Sequence, residues 1–213
     1  MTEVYLVRHC ESEANLSHSY AGRSDVDISE KGAKQLEYLS EAFRNIKLDK
    51  VYSSSLKRAL KTAEAINKYP QAPIEIEDDF IEINFGIFDG KPVSVMPEEF
   101  RNTWFQEYHN YYSPKGESVD EVCERVMRGL RKVAEANEGK TIAIASHGCA
   151  IRCLIRQLKK LPREKGGEVE WCDNTGINKI IFQNGEFKLE VENGTAHLPD
   201  DFKAEPISSW GKE

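Results

Sequence analysis

The chain has 213 residues, 39% hydrophobic and 31% charged, with a formal net charge of −7. This is the composition of a folded globular chain of about one domain, and it excludes a disordered one. The acidic balance argues against a nucleic-acid surface, which is ordinarily basic, and no apolar run approaches the ~18 residues of a membrane helix.

Met1-Thr2-Glu3 leads almost directly into the first apolar run, so no signal peptide is expected and the chain is read as cytoplasmic. The five cysteines, Cys10, Cys123, Cys149, Cys153 and Cys172, are odd in number and share no repeated spacing. They read as reduced thiols and not as a disulfide framework. Cys149 and Cys153 lie one helical turn apart but lack a CxxC or HxxxH partner, so no metal site is assigned to them.

In chain order, residues 3–8 read as a strand in which Val4-Tyr5-Leu6-Val7 runs into Arg8-His9-Cys10-Glu11. Residues 9–28 are polar and irregular. Ser29 caps a helix over 30–46, with Leu36, Leu39 and Phe43 near helical spacing. Lys50-Val51-Tyr52 is a short strand ending in Ser53-Ser54-Ser55, followed by a helix over 56–68 that stops before Pro70 and a strand over 73–76. Residues 78–117 are the least regular stretch, rich in Gly and Pro, with a helix within 97–112. The aromatic residues Phe100, Trp104, Phe105, Tyr108, Tyr111 and Tyr112 fall here and read as a satellite core more than as a substrate platform.

Ser118 caps a helix over 119–136, in which Val122, Val126, Leu130 and Val133 repeat at helical spacing. Thr141 to Ala145 reads as a fully covered parallel strand leading into Ser146-His147-Gly148, and a helix to about 160 follows. Residues 177–182 and 187–191 flank Asn184-Gly185, a strong hairpin signal. Residues 193–213 read as a surface tail. Strands alternating with helices predict an α/β fold, a three-layer α/β/α sandwich with a mostly parallel mixed sheet, as one domain spanning 1–213.

Two strands that each deliver a histidine at the C-terminal end match an α/β active site built on strand tips. Arg8 and His9 end the first strand, His147 ends the later one, Arg58 lies on the first turn of the helix after Ser53-Ser54-Ser55, and Asn15 adds a neutral donor. Such a cluster suits a phosphoryl group. Guanidinium forks match phosphate oxygens bidentately, and nearby arginines keep a histidine unprotonated and nucleophilic. Glu82, flanked by bulky apolar residues, is the candidate proton donor, because apolar surroundings raise a carboxyl pKa.

Four separated blocks resemble the histidine phosphatase superfamily, also called the phosphoglycerate mutase-like family. Arg8-His9-Cys10-Glu11-Ser12 with Asn15 resembles its RHGE[TS]xxN signature, and Ser53 through Ala63 resembles its SSxxxRAxxTA helix. Phe80 through Gly90 resembles its LxExxFGxx[DE]G block, Ser146-His147-Gly148 its late SHG, and Pro114 through Ser118 more weakly its PxGES. The resemblance implies that His9 becomes a phosphohistidine and that Arg8, Arg58 and His147 hold the phosphoryl group with Asn15 assisting. It makes Glu82 the proton donor and implies no metal or organic cofactor.

Cys10 stands where the family has Gly and is read as tolerated. A sharper hypothesis is that a thiol beside the cationic pocket, Cys10 or Cys149, has a depressed pKa and is oxidation-sensitive. The stretch after the acid block is short and more aromatic than basic, with no Arg-Arg pair. Phosphomonoester hydrolysis is therefore favoured over phosphoglycerate mutase-type transfer, and a catalytically silent phosphate-binding module is kept as the other alternative. The expected partner is a small phosphorylated metabolite, with neither nucleic acid nor membrane, and the chain is a monomer or homodimer. Residues 91–117 are expected to form a lid or specificity insert.

Overall fold

Val4 and Leu6 face one side of β1 (Thr2–Arg8) and Val7 the other, and all three are fully buried. Burial on both sides requires a central strand covered by helices above and below. A computed structural model describes residues 1–204; residues 205–213, the end of the expected tail, lie outside the described residues. In it β1 joins β2 (Lys50–Ser53), β3 (Ile74–Ile76), β4 (Thr141–Ser146), β5 (Ile177–Gln183) and β6 (Glu186–Gly194) in one sheet of order β3-β2-β4-β1-β5-β6. The first four strands in that order run parallel, and β5 and β6 add as an antiparallel hairpin. Asn184 and Gly185 turn the hairpin at φ 53° and 80°, the conformation that favours this residue pair.

The helices are α1 (Glu13–Leu16), α2 (Glu30–Ala42), α3 (Lys57–Ile66), α4 (Glu98–Gln106), α5 (Val119–Ala136) and α6 (Gly148–Leu158). Leu39, Ala59, Ala63 and Ile66 of α2 and α3 pack on Val7, Val51, Ala143 and Ala145. Val122, Val126 and Leu130 of α5 and Ile151 and Leu154 of α6 pack on Val4, Leu6, Ile142 and Ile144 across the sheet. The result is the expected three-layer sandwich. No helix among the described residues is long and apolar enough to cross a membrane.

Local chemistry explains the element ends. Ser29 caps α2 by accepting from the Gly32 N–H, and Ser118 and Glu121 form a reciprocal capping box on α5. α2 stops at Ala42, short of the expected 46, because residues 43–46 wind on in i to i+3 bonds such as Arg44 N–H to Glu41 and Ile46 N–H to Phe43. The stretch 78–117 is held by short 3₁₀ turns and α4. Trp104, Tyr108 and Tyr111 are buried in the main core and do not form a separate cluster, while Tyr112 is exposed. Residues 193–194 belong to β6, and Phe202 returns to α2 by accepting from Gln35 Nε2 at 2.7 Å.

Candidate active site

Strand register assembles the site. Arg8 lies opposite Ser146 across the β1–β4 pair, and the His9 N–H donates to the Ser146 carbonyl at 2.8 Å. The next residue on each strand is a histidine, so the His9 and His147 rings meet with centroids 5.1 Å apart. On the other side of β4, Ser53 lies opposite Ala145, which brings Ser54 Oγ to 2.6 Å from His147 Nε2.

His9 is 4% exposed, and its Nδ1–H donates to the Cys10 carbonyl at 2.6 Å. A carbonyl only accepts, so the proton sits on Nδ1 and Nε2 keeps its lone pair. Burial, then the Arg58 and Arg8 charges, pushes His9 well below the ordinary imidazole value. His147 is pushed well below it too, by burial, then Arg58 and His9. Both rings are therefore neutral at neutral pH.

Arg58, in the first turn of α3, is nearly fully buried. It donates through Nη1 to the Ser24 carbonyl and through Nη2 to the carbonyls of Ala21 and Gly22. These bonds fix the fork and leave part of its donor set for a ligand. Burial lowers Arg58 to about 10, which leaves it charged. Arg8 is also lowered by burial; its Nη1 donates to the Cys172 carbonyl at 2.5 Å, and its Nε is buried without a partner. His147 Nδ1 is likewise buried and unpartnered.

Glu82 reaches the site from the segment after β3, which crosses the strand tips where Ser146 Oγ donates to the Phe80 carbonyl. Its flanking sequence suggested apolar packing, but the carboxylate lies against the N-terminus of α6. Oε2 accepts from the Cys149 N–H at 3.2 Å, and Oε1 accepts from Ala150 at 3.3 Å and from Ile83 at 2.8 Å. It thus serves a helix end that has no side-chain cap of its own. Asn15 belongs to α1, a turn inside the stretch read as irregular. Its Oδ1 accepts from both the N–H and the hydroxyl of Ser12.

Arg8, His9, Asn15, Arg58 and Glu82 line one cleft. His147, fully buried, touches His9 and Ser54 but is not on the cleft wall, where Gly148 takes its place. Tyr20, Phe85, Trp104 and Trp171 add a run of rings to the wall, with Tyr20–Phe85, Phe85–Trp104 and Trp104–Trp171 centroids 4.7, 5.1 and 5.5 Å apart. Sequence reasoning did not single out Tyr20 or Trp171, and it met Phe85 only as part of the block around Glu82. It also passed over the segment that braces the end of β1, where Asn174 Nδ2 donates to the His9 carbonyl and the Thr175 N–H to that of Arg8. The available signal was the dense polar loop Cys172-Asp173-Asn174-Thr175 beside a tryptophan.

Cys10 is fully buried, its N–H donates to Thr62 Oγ1 at 3.1 Å, and it is not among the described residues with positive φ. A Cβ is accommodated there without strain. Burial pushes its thiol up to about 12, which overturns the idea of a depressed pKa at Cys10. Cys149 is 1% exposed, with Sγ 2.8 Å from the Tyr108 hydroxyl.

Comparison with known proteins finds relatives in both sequence and fold. The family model of the histidine phosphatase superfamily (branch 1) matches residues 4–195. The uncharacterized phosphatase PhoE of Bacillus subtilis is 32% identical over 202 residues, covering 93% of this chain and 97% of that protein. The probable phosphoglycerate mutase GpmB of Salmonella arizonae is 31% identical over 213 residues, covering 93% of this chain and 95% of that protein. Among solved structures, a phosphoserine phosphatase mutant from Entamoeba histolytica in complex with phosphoserine matches with a TM-score of 0.83 at 27% identity, over 93% of this chain and 100% of that one.

Proposed function

This chain belongs to the histidine phosphatase superfamily, and on that premise we propose that it hydrolyses small phosphomonoesters through a phosphohistidine at His9. The observation that carries the proposal is the convergence of Arg8, His9, Arg58 and Glu82 on one cleft. His9 Nε2 attacks phosphorus while the bond to the leaving oxygen breaks, and Glu82 gives that oxygen its proton. Water then attacks the phosphohistidine, Glu82 takes a proton from the water, and inorganic phosphate leaves as the P–N bond breaks.

Arg8 and Arg58 hold the phosphoryl oxygens, with Asn15 beside them. The unpartnered Arg8 Nε supports that role, since a buried donor without an acceptor is costly until a ligand supplies one. His147, tied through Nε2 to Ser54 Oγ, leaves its unpartnered Nδ1 at this end to meet the bound group.

Hydrolysis is favoured over mutase-type transfer by the remaining wall. Among the described residues that line the cleft, Arg8 and Arg58 are the cations, and beyond His9, Asn15 and Glu82 the wall is aromatic or small. No further cation stands on that wall to meet a second phosphate or carboxylate. The segment 91–117 contributes Trp104 to this wall and is the specificity element.

Acid- and base-quenched turnover of a radiolabelled phosphomonoester tests the proposal. The expected result is a base-stable, acid-labile adduct on His9 with release of inorganic phosphate. Transfer between positions of phosphoglycerate would favour the mutase, and binding without turnover the silent module.

A further inference from the structure

Glu82 is carried on a segment without regular structure, between the turn Asp78–Phe80 and the turn Gly86–Phe88. A proton donor must nevertheless be held to within about 0.5 Å of its working position. The side chain that holds the segment comes from α5. Arg125, 8% exposed, donates through Nη1 to the carbonyls of Asp79 at 2.9 Å and Ile81 at 2.6 Å, and through Nη2 to that of Glu82 itself at 3.0 Å. Nε and Nη2 also grip the two carboxylate oxygens of Glu117 at 2.9 and 3.1 Å. This set matches the donor capacity of a guanidinium, so the fork is fully committed.

Glu117 completes the grip from the far side of Glu82, accepting from the Asn84 N–H at 2.8 Å and from Arg23 at 3.1 Å. The backbone is therefore held just before, at and just after the acid. Burial pushes the Glu117 carboxyl up, but the Arg125 fork outweighs it and holds the group below its ordinary value, so the pair is ionised. Gly129 lets the helix come this close: a Cβ there would lie 2.6 Å from that of Asp79. Arg128 and Lys132 extend the same helix face to the carboxylates of Asp79 and Glu77, but those cations are exposed and bond side chains, not backbone. Arg125 itself does not line the cleft.

We propose that Arg125, with Glu117 as its counter-ion, is a positioning residue that aims Glu82 at the leaving oxygen; this rests on the reading of Glu82 as the proton donor. Lysine cannot replace it, because a point charge cannot reach three carbonyls and a carboxylate together.

The test compares kcat/KM, which reports the first half-reaction, on an alkyl phosphate and on 4-nitrophenyl phosphate, whose leaving group needs no proton. R125Q and R125K, both checked for folding by circular dichroism, should lose about 10²-fold on the alkyl ester and little on the aryl one. E82Q should show the same selectivity, and adding R125Q to E82Q should produce no further selective loss. Equal losses on both esters, in R125Q or in R125K should R125Q not fold, would reduce Arg125 to a structural clamp and overturn the proposal. A selective effect of R125Q that persists in the E82Q background would overturn it as well. If E82Q shows no selectivity, the proton-donor reading fails and takes this inference with it; selectivity in E82Q alone removes only Arg125.

Discussion

The Nδ1–H of His9 donates to the backbone carbonyl of Cys10, its immediate neighbour in sequence, at 2.6 Å. One short bond therefore settles which ring nitrogen keeps its lone pair, and the residue after the histidine does the settling through its backbone, whatever its side chain.

With His9 proposed as the nucleophile, the charge state of its ring gives the first prediction. His9 is depressed by burial, then by Arg58 and Arg8, so the acid limb it imposes on kcat/KM lies well below the ordinary imidazole value. Removing a cation lets the pKa rise, so Arg58→Gln should move the acid limb to higher pH, in addition to weakening binding. Profiles of both proteins on one substrate cancel the substrate's own ionisation. A limb that stays put, or moves to lower pH, would contradict the electrostatic coupling.

The same depression predicts how stability depends on pH. An imidazole that is depressed when folded but ordinary when unfolded binds fewer protons in the native state. Its contribution is complete above about pH 6.5 and is lost as pH falls below that value toward the folded pKa, at up to about 1.4 kcal/mol per pH unit for each ring. His9 and His147 both fall in this class. Denaturant midpoints between pH 7 and pH 5 should fall, and His147→Gln should flatten the slope; an unchanged slope would mean that His147 is not buried neutral.

Cys10 tests whether the thiol takes any part in the chemistry. Its side chain is fully buried, its backbone needs no glycine conformation, and its thiol is pushed up to about 12. Cys10→Gly should cost about 1–2 kcal/mol through lost packing and added chain freedom, while leaving kcat/KM where it was. Peroxide or a thiol reagent should leave native Cys10 unmodified. Loss of activity in a glycine variant that is no less stable would reverse this reading.

These residues also show what could be read in the sequence. His9, His147 and Arg58 were legible because each sits at the end of an apolar run or in a first helical turn, so its place follows from local pattern and parallel pairing alone. Asn15 was legible as a residue but not as part of α1, because a single turn is too short to show a period. Glu82 was found, but its surroundings were misjudged: its flanks are apolar, whereas its partners, the N–H groups of Cys149 and Ala150, come from a distant helix start. The cleft wall of Tyr20, Trp104 and Trp171 is assembled from two loops and the helix α4, far apart in sequence. No local pattern marks residues whose function arises only after folding.

Gly148 supplies the last prediction, one that separates stability from function. It opens α6 and lines the cleft. A Cβ built there would lie 3.4 Å from the Trp171 ring and 3.5 Å from Arg8 Nε, ordinary contacts that displace nothing, and its φ is not in the left-handed region. Alanine is also the better helix former, so Gly148→Ala should unfold at the same temperature as wild type or slightly above. The new methyl group, however, stands against the buried, unpartnered Nε of Arg8, where a phosphoryl oxygen would have to approach. Displacing the bound group by even ~1 Å should lower kcat/KM by about 10²-fold, and inorganic phosphate should inhibit more weakly. A stable Gly148→Ala protein with full turnover and unchanged phosphate inhibition would place the phosphoryl group elsewhere in the cleft.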